Sequence, residues 1–195
     1  MVMENQPEAW YPDKRALSRK TAREESMRRA IEILEQLVGD GTLKAYAIGG
    51  GVAATFYAEP VLTYDLDAFV LLPPSSGLLV SLSPLYDKLR GMGFAEDQEH
   101  VLVGGLPVQF IPAYNALVEE AVENAVPLPF GDTTVRVVSP EHLLCIMLQT
   151  GRPKDRARAA LFIEEAEVDR GRLMEILSRH GLVHRWTALT EGRPA

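Results

Sequence analysis

The stretch AIGGGVAATFYAEPVLTYDLDAFV, Ala47 to Val70, decides how the chain is read. Lys44 to Ile48 alternates as a short strand and runs into Gly49-Gly50-Gly51; Val52 to Ala58 reads as a short helix stopped by Glu59-Pro60. Asp65 to Leu72 follows as a second strand, nearly continuous in apolar residues after its opening carboxylates, the pattern of a buried central strand. Glycines between a strand and a helix let a phosphate approach backbone N–H groups. Alternation places Asp65 and Asp67 on one face, about 6–7 Å apart at Cα. Such a pair can share a divalent cation whose preference for hard oxygen ligands suits Mg²⁺ and nucleotide phosphates. Left alone the two charges repel, so they call for a metal or basic neighbours. The same pair also reads as a solvated acidic strand end.

Outward from this stretch, Thr21-Ala22-Arg23-Glu24 has the form of a capping box, followed by Met27, Ala30, Ile31, Leu34 and Val38 at helical spacing up to Gly39-Asp40-Gly41. A helix fits Ser83 to Met92, and Val101 to Ile111 reads as a hairpin turning at Gly104-Gly105. Another helix fits Tyr114 to Asn124. Leu128 to Phe130 and Thr133 to Val138 pair across Gly131-Asp132. Ser139-Pro140-Glu141 opens a helix with a cap, a first-turn proline and an acid at the positive end. Pro153 opens a further helix and Asp169 caps the last clear one, which closes at Gly181. Strands dominate the first two thirds and helices the last, so the fold class is α+β: a small mixed sheet flanked by helices with a helical C-terminal part. The expected organisation is a flexible arm over 1–20, a core over 21–150 and a helical extension over 151–195 packed on it.

The chain has 195 residues, 47% hydrophobic and 24% charged, which is ordinary globular composition and long enough for a core without disulfides. No apolar run reaches membrane-spanning length, and the N-terminus has no apolar signal core, so no membrane partner and a cytoplasmic location are expected. The net charge of −7 opposes generic coating of nucleic acid. Two local basic runs stand out, Lys14 to Arg29 and Arg152 to Arg158; both read first as solvated helix faces, although Lys154 and Arg158, one turn apart, could equally reach a triphosphate. Cys145 lies in an apolar helical run without a nearby base and reads as a buried structural thiol. His100, His142, His180 and His184 form no ligand pattern.

A strand, Gly49-Gly50, a short helix and Asp65-Leu66-Asp67 resemble the signature of the nucleotidyltransferase superfamily with the DNA-polymerase-β-like fold. With Glu59-Pro60 and Thr63 ahead of the acidic pair, the chain looks most like AbiEii-type toxins and related minimal nucleotidyltransferases. A second match, Val135 to Leu144 and then Arg152-Pro153-Lys154-Asp155, is similar to the strand, helix and Arg-x-Lys-Asp segment that follows the core in those proteins. The resemblance implies that Gly49, Gly50, Thr63, Lys154 and Asp155 bind the nucleotide and that Asp65 and Asp67 are catalytic and hold Mg²⁺. It implies a nucleoside triphosphate as donor, an RNA or protein acceptor, and a cognate antitoxin or toxin as partner.

The chain departs from the pattern at three places. Gln109 stands where a third carboxylate is expected, and an amide oxygen is a weaker ligand and no base. Met147 stands for a lysine and Val61 for a basic residue. Glu96, Asp97 and Glu99, on the approach to the hairpin, are candidates to replace the missing acid. Two readings follow: a Mg²⁺-dependent transferase, or the same fold kept as a catalytically degenerate nucleotide- or partner-binding module.

Overall fold

A computed structural model describes residues 14–59, 63, 65–74 and 81–191, with side chains from residue 21 onward. The elements are α1 (Lys14–Gly39), β1 (Ala45–Ile48), α2 (Gly50–Ala54), β2 (Leu66–Leu71), α3 (Ser83–Gly91), β3 (Glu96–Asp97), β4 (His100–Val103), β5 (Leu106–Pro112), α4 (Ala116–Glu123), β6 (Val126–Phe130), β7 (Thr133–Val137), α5 (Pro140–Thr150), α6 (Pro153–Glu165), α7 (Arg170–Arg179) and α8 (Val183–Glu191). The class is α+β, as expected.

One mixed sheet runs β3-β4-β5-β2-β1-β7-β6. Its middle strand is β2, antiparallel to β1 and parallel to β5. That position explains its composition: Leu66, Ala68, Phe69, Val70 and Leu71 are all buried, because a strand with neighbours on both edges and helices over its faces has no wet side. β7 joins β1 in parallel through Ile48 and Val137, and β6 closes that edge antiparallel.

Helix α1 lies on β1, β4 and β5 through Met27, Ala30, Ile31, Leu34 and Leu37, the apolar stripe read from the spacing. It begins at Lys14, ahead of the Thr21 capping box, so the expected boundary of an N-terminal arm at residue 20 falls inside a helix. Helix α5 is bounded as its sequence dictates. The Ser139 hydroxyl caps one end, and Gly151 at φ +64° ends the other in the left-handed region that glycine enters without cost. Buried along almost its whole length, α5 contacts α6, α7 and α8; α6 docks through Ala159 and Phe162, and α7 through Leu173, Ile176 and Leu177.

Two elements were not legible in the sequence. β3 and β4 form a hairpin whose tip is Gln98-Glu99, with Gln98 at φ +56°; no glycine or asparagine marks the turn. α8 follows Gly181 without a capping side chain and fully buries none of its residues.

Candidate active site

Each of the three glycines after β1 is required by a different neighbour. A Cβ on Gly49 would fall 2.2 Å from the Phe69 ring, one on Gly50 1.7 Å from Asp67 Oδ2, and one on Gly51 3.0 Å from Thr63. Gly50 also sits at φ +58°. The glycine cluster is therefore a seat for the Asp67 carboxylate and the Thr63 side chain, and it brings both against the start of α2.

The acidic pair is coupled as its spacing implies, although Asp65 lies just outside the strand, one residue before Leu66. Burial pushes the Asp67 carboxyl above its ordinary value and the Asp65 charge pushes it further; Arg158, Lys154 and Arg152 oppose this from the α6 side. Among the described residues nothing donates a hydrogen bond to the Asp67 carboxylate. Asp65 is better held: Thr63 Oγ1 donates to its Oδ1 at 3.1 Å, and His100 Nε2 stands 3.9 Å from its Oδ2. Arg23 of α1 donates to the Thr63 carbonyl and fixes that residue in turn.

Several residues occupy places other than those the resemblance suggested. The Gly49 N–H donates to the Asp67 carbonyl at 2.8 Å, as part of the joint between β1 and β2, so it is not free for a phosphate. The N–H groups of Gly50 and Gly51, in the first turn of α2, have no carbonyl within that helix to bind. The Thr63 hydroxyl is directed at Asp65. Asp155 is buried and accepts from Arg152 Nε at 2.6 Å, so it holds a cation of the site instead of facing a nucleotide. Met147 is buried on α5, and Val61 lies outside the described residues.

Gln109 is paired in register with Asp67 across the parallel β2–β5 ladder, which puts both side chains on one face. Its amide Nε2 donates to Glu99 Oε2 at 3.1 Å. Of the three acids on the approach to the hairpin, Glu99 is thus the one brought to this edge, while Glu96 pairs with Arg90 at 3.2 Å. The hairpin tip presents Glu99 and His100 together, an arrangement with no signal in the sequence beyond the density of polar residues. Among the described residues no three His, Cys, Asp or Glu side chains lie close enough to hold a metal by themselves.

Elsewhere the thiol of Cys145 is buried and pushed up to about 12 by that burial, which makes it inert. A wider cavity of about 600 Å³ lies at the opposite end of β2, lined by Val70, Leu71 and Pro112, and none of the site residues reaches it.

No protein-family model matches the chain, and no curated protein matches it in sequence. Solved structures do. An antigenic nucleotidyltransferase-like protein from Paracoccidioides brasiliensis is similar over 85% of this chain and 93% of its own, at 16% identity and a TM-score of 0.52. ANT(2")-Ia in complex with adenylyl-2"-tobramycin is similar over 84% of this chain and 98% of its own, at 15% identity and a TM-score of 0.49. The first of these likenesses shows the nucleotidyltransferase fold.

Proposed function

We propose that this protein transfers a nucleoside monophosphate from a nucleoside triphosphate to an RNA or protein acceptor, as a toxin-type nucleotidyltransferase with a cognate antitoxin or toxin as partner. The observation that carries the transferase reading is the Asp67 carboxylate, seated on Gly50 beside Asp65 and facing Arg158, Lys154 and Arg152. The toxin-type reading is supported by the likeness of Glu59-Pro60, Thr63 and the Arg152-Pro153-Lys154-Asp155 segment to AbiEii-type proteins.

The donor set fits Mg²⁺: two coupled carboxylates, one destabilised by burial and by the other's charge, gain most from a hard cation. Two carboxylates are too few for a complete shell, and triphosphate oxygens would have to supply the remainder. Asp65 and Asp67 would hold the ion, which when bound neutralises charge on the phosphoryl oxygens around the α-phosphorus. Arg158 and Lys154 attract the triphosphate, and Asp155 keeps Arg152 aimed from the head of α6. The Gly50 and Gly51 N–H groups offer hydrogen bonds to phosphate oxygens. In the transfer the acceptor oxygen forms its bond to the α-phosphorus as the bond to the β-phosphate oxygen breaks, and pyrophosphate leaves with that electron pair. On β5 the position facing Asp67 is an amide, so the acceptor proton would pass to solvent water and not to a carboxylate there.

Isothermal titration of Mg²⁺ with each nucleoside triphosphate tests this reading. Binding is expected, and Asp67→Asn should weaken it about ten- to a hundredfold, the scale of a contact to a charged group. Equal binding by wild type and Asp67→Asn would remove the acidic pair as the metal site. The second reading, a module that binds without transferring, is favoured by one observation, Gln109 in register with Asp67.

A further inference from the structure

The elbow between α5 and α6, Gly151-Arg152-Pro153, delivers the cations that act on Asp67: Arg152 precedes the first residue of α6, and Lys154 and Arg158 follow on that helix. How the elbow points is set by the last turn of α5. There the Met147 carbonyl accepts from the Gly151 N–H at 3.0 Å, whereas the carbonyls of Leu148 and Gln149 have no donor within the helix. Both are served from elsewhere. Arg185 of α8 donates through a single nitrogen, Nη1, to the Leu148 carbonyl at 2.8 Å and to the Gln149 carbonyl at 2.7 Å. The same nitrogen stands 3.2 Å from where a Cβ on Gly151 would lie, so the guanidinium rests directly on the elbow. From the other side Asn115 Nδ2 donates to Gln149 Oε1 at 2.7 Å, and Asn115 caps α4 just after β5.

Helix α8 fully buries none of its residues; Trp186 and Leu189 rest half-buried on the core, with the Arg170 guanidinium 5.5 Å from the centroid of the Trp186 ring. Among the described residues Arg185 makes no ion pair, and its side-chain hydrogen bonds go to α5. The bond to the Gln149 carbonyl is exposed, so water would satisfy that oxygen as well. What the guanidinium adds over water is direction: one nitrogen locked on two successive carbonyls at the negative end of a helix.

We propose that Arg185 is a positioning residue for the triphosphate: it fixes the end of α5 and, through the elbow, the direction from which Arg152 meets the phosphates. The inference rests on the transferase reading above. Asp155 holds the head of Arg152 by accepting from its Nε at 2.6 Å, and Arg185 holds the backbone from which that side chain springs.

The test is isothermal titration of the full chain with inorganic tripolyphosphate in Mg²⁺, a probe that reads the phosphate contacts alone. Arg185→Ala should weaken binding roughly three- to thirtyfold, the range of coupling carried between packed elements. Arg185→Lys should recover part of that loss, because an ammonium still donates to the same carbonyls. A double-mutant cycle separates positioning from a role in stability alone: in an Arg152→Ala background, Arg185→Ala should cost less than about twofold. Arg185 is exposed, so neither variant disturbs the core, and urea midpoints read alongside report the folding of each. Unchanged binding by Arg185→Ala, an equal loss in the Arg152→Ala background, or a loss that Arg185→Lys does not relieve overturns the positioning role. In each of those cases, tripolyphosphate binding that Asp67→Asn weakens keeps the transferase reading standing. Failure of the wild type to bind the probe overturns both.

Discussion

Glu120 on α4 and Asp67 on β2 are both carboxylates drawn away from solvent, with opposite surroundings. Burial works against the charge of Glu120, but hydrogen bonds from His180, Arg179 and His142 outweigh it and hold the carboxyl at about 2. His180 Nε2 lies 2.8 Å from Oε2 and His142 Nε2 3.3 Å from Oε1; His142 in turn meets the Ser139 hydroxyl at 2.9 Å, in full burial. A serine, a histidine and a glutamate in that order suggest a nucleophile, yet Ser139 is completely buried and serves as the cap of α5. The cluster ties α4, α5 and α7 together. Asp67 has cations at a distance, a like charge beside it and a glycine backbone beneath it. A charge whose partners are all supplied by the protein is part of the fold. A charge whose partners are withheld is held ready for something the chain does not contain.

The sharpest way to break that contrast is Gly50→Ala. A side chain at φ +58° costs about 1–2 kcal/mol, and its Cβ would displace the Asp67 carboxylate. The expected result is loss of measurable triphosphate binding and a fall in the thermal midpoint of roughly 2–8 °C for a chain of this size. Wild-type binding by Gly50→Ala would show that the seat of Asp67 is not the site.

Next in size is Gln109→Asp, which adds an anion in register with Asp67 and removes the hydrogen bond that the Gln109 amide donates to Glu99. If the amide limits the site, Mg²⁺ affinity should rise and transfer of radiolabelled nucleotide should increase on the order of a hundredfold, the contribution of a general base. Robust wild-type transfer that survives Gln109→Ala would sink the degenerate-module reading instead. No transfer in either form, with nucleotide binding intact, would favour it.

Glu120→Gln is the smallest change and the control for the comparison. Loss of a charged acceptor for three donors should cost roughly 1.5–3 kcal/mol of unfolding free energy in urea and leave nucleotide binding unchanged. The two carboxylates also give stability opposite dependences on pH. Glu120 lies below its ordinary 4.5, so its contribution is complete above that value and is lost as pH falls through about 2. Asp67 lies above its ordinary 3.8, so its charge opposes folding; stability rises as pH falls through its folded value, and the gain is complete below 3.8. Asp67→Asn should flatten the second dependence and Glu120→Gln the first, read from urea midpoints between pH 2 and 7.

The sequence by itself determined the elements that repeat a local rule. The apolar stripe of α1, the continuous apolar run of β2, the Ser139-Pro140-Glu141 start of α5 and the Asp169 cap of α7 are set by contacts within a few residues, and each is found where its pattern places it. The pairing of Asp65 with Asp67 was legible for the same reason. Only the tertiary structure decided the rest. The Gly49 N–H belongs to the sheet because β2 returns antiparallel to β1. Glu120 gathers donors from 22 to 60 residues away, and a turn without glycine carries Glu99 to Gln109. Spacing along the chain fixes which side chains share a face; which of them satisfy one another depends on strand order and helix docking, and these follow from burying a common core.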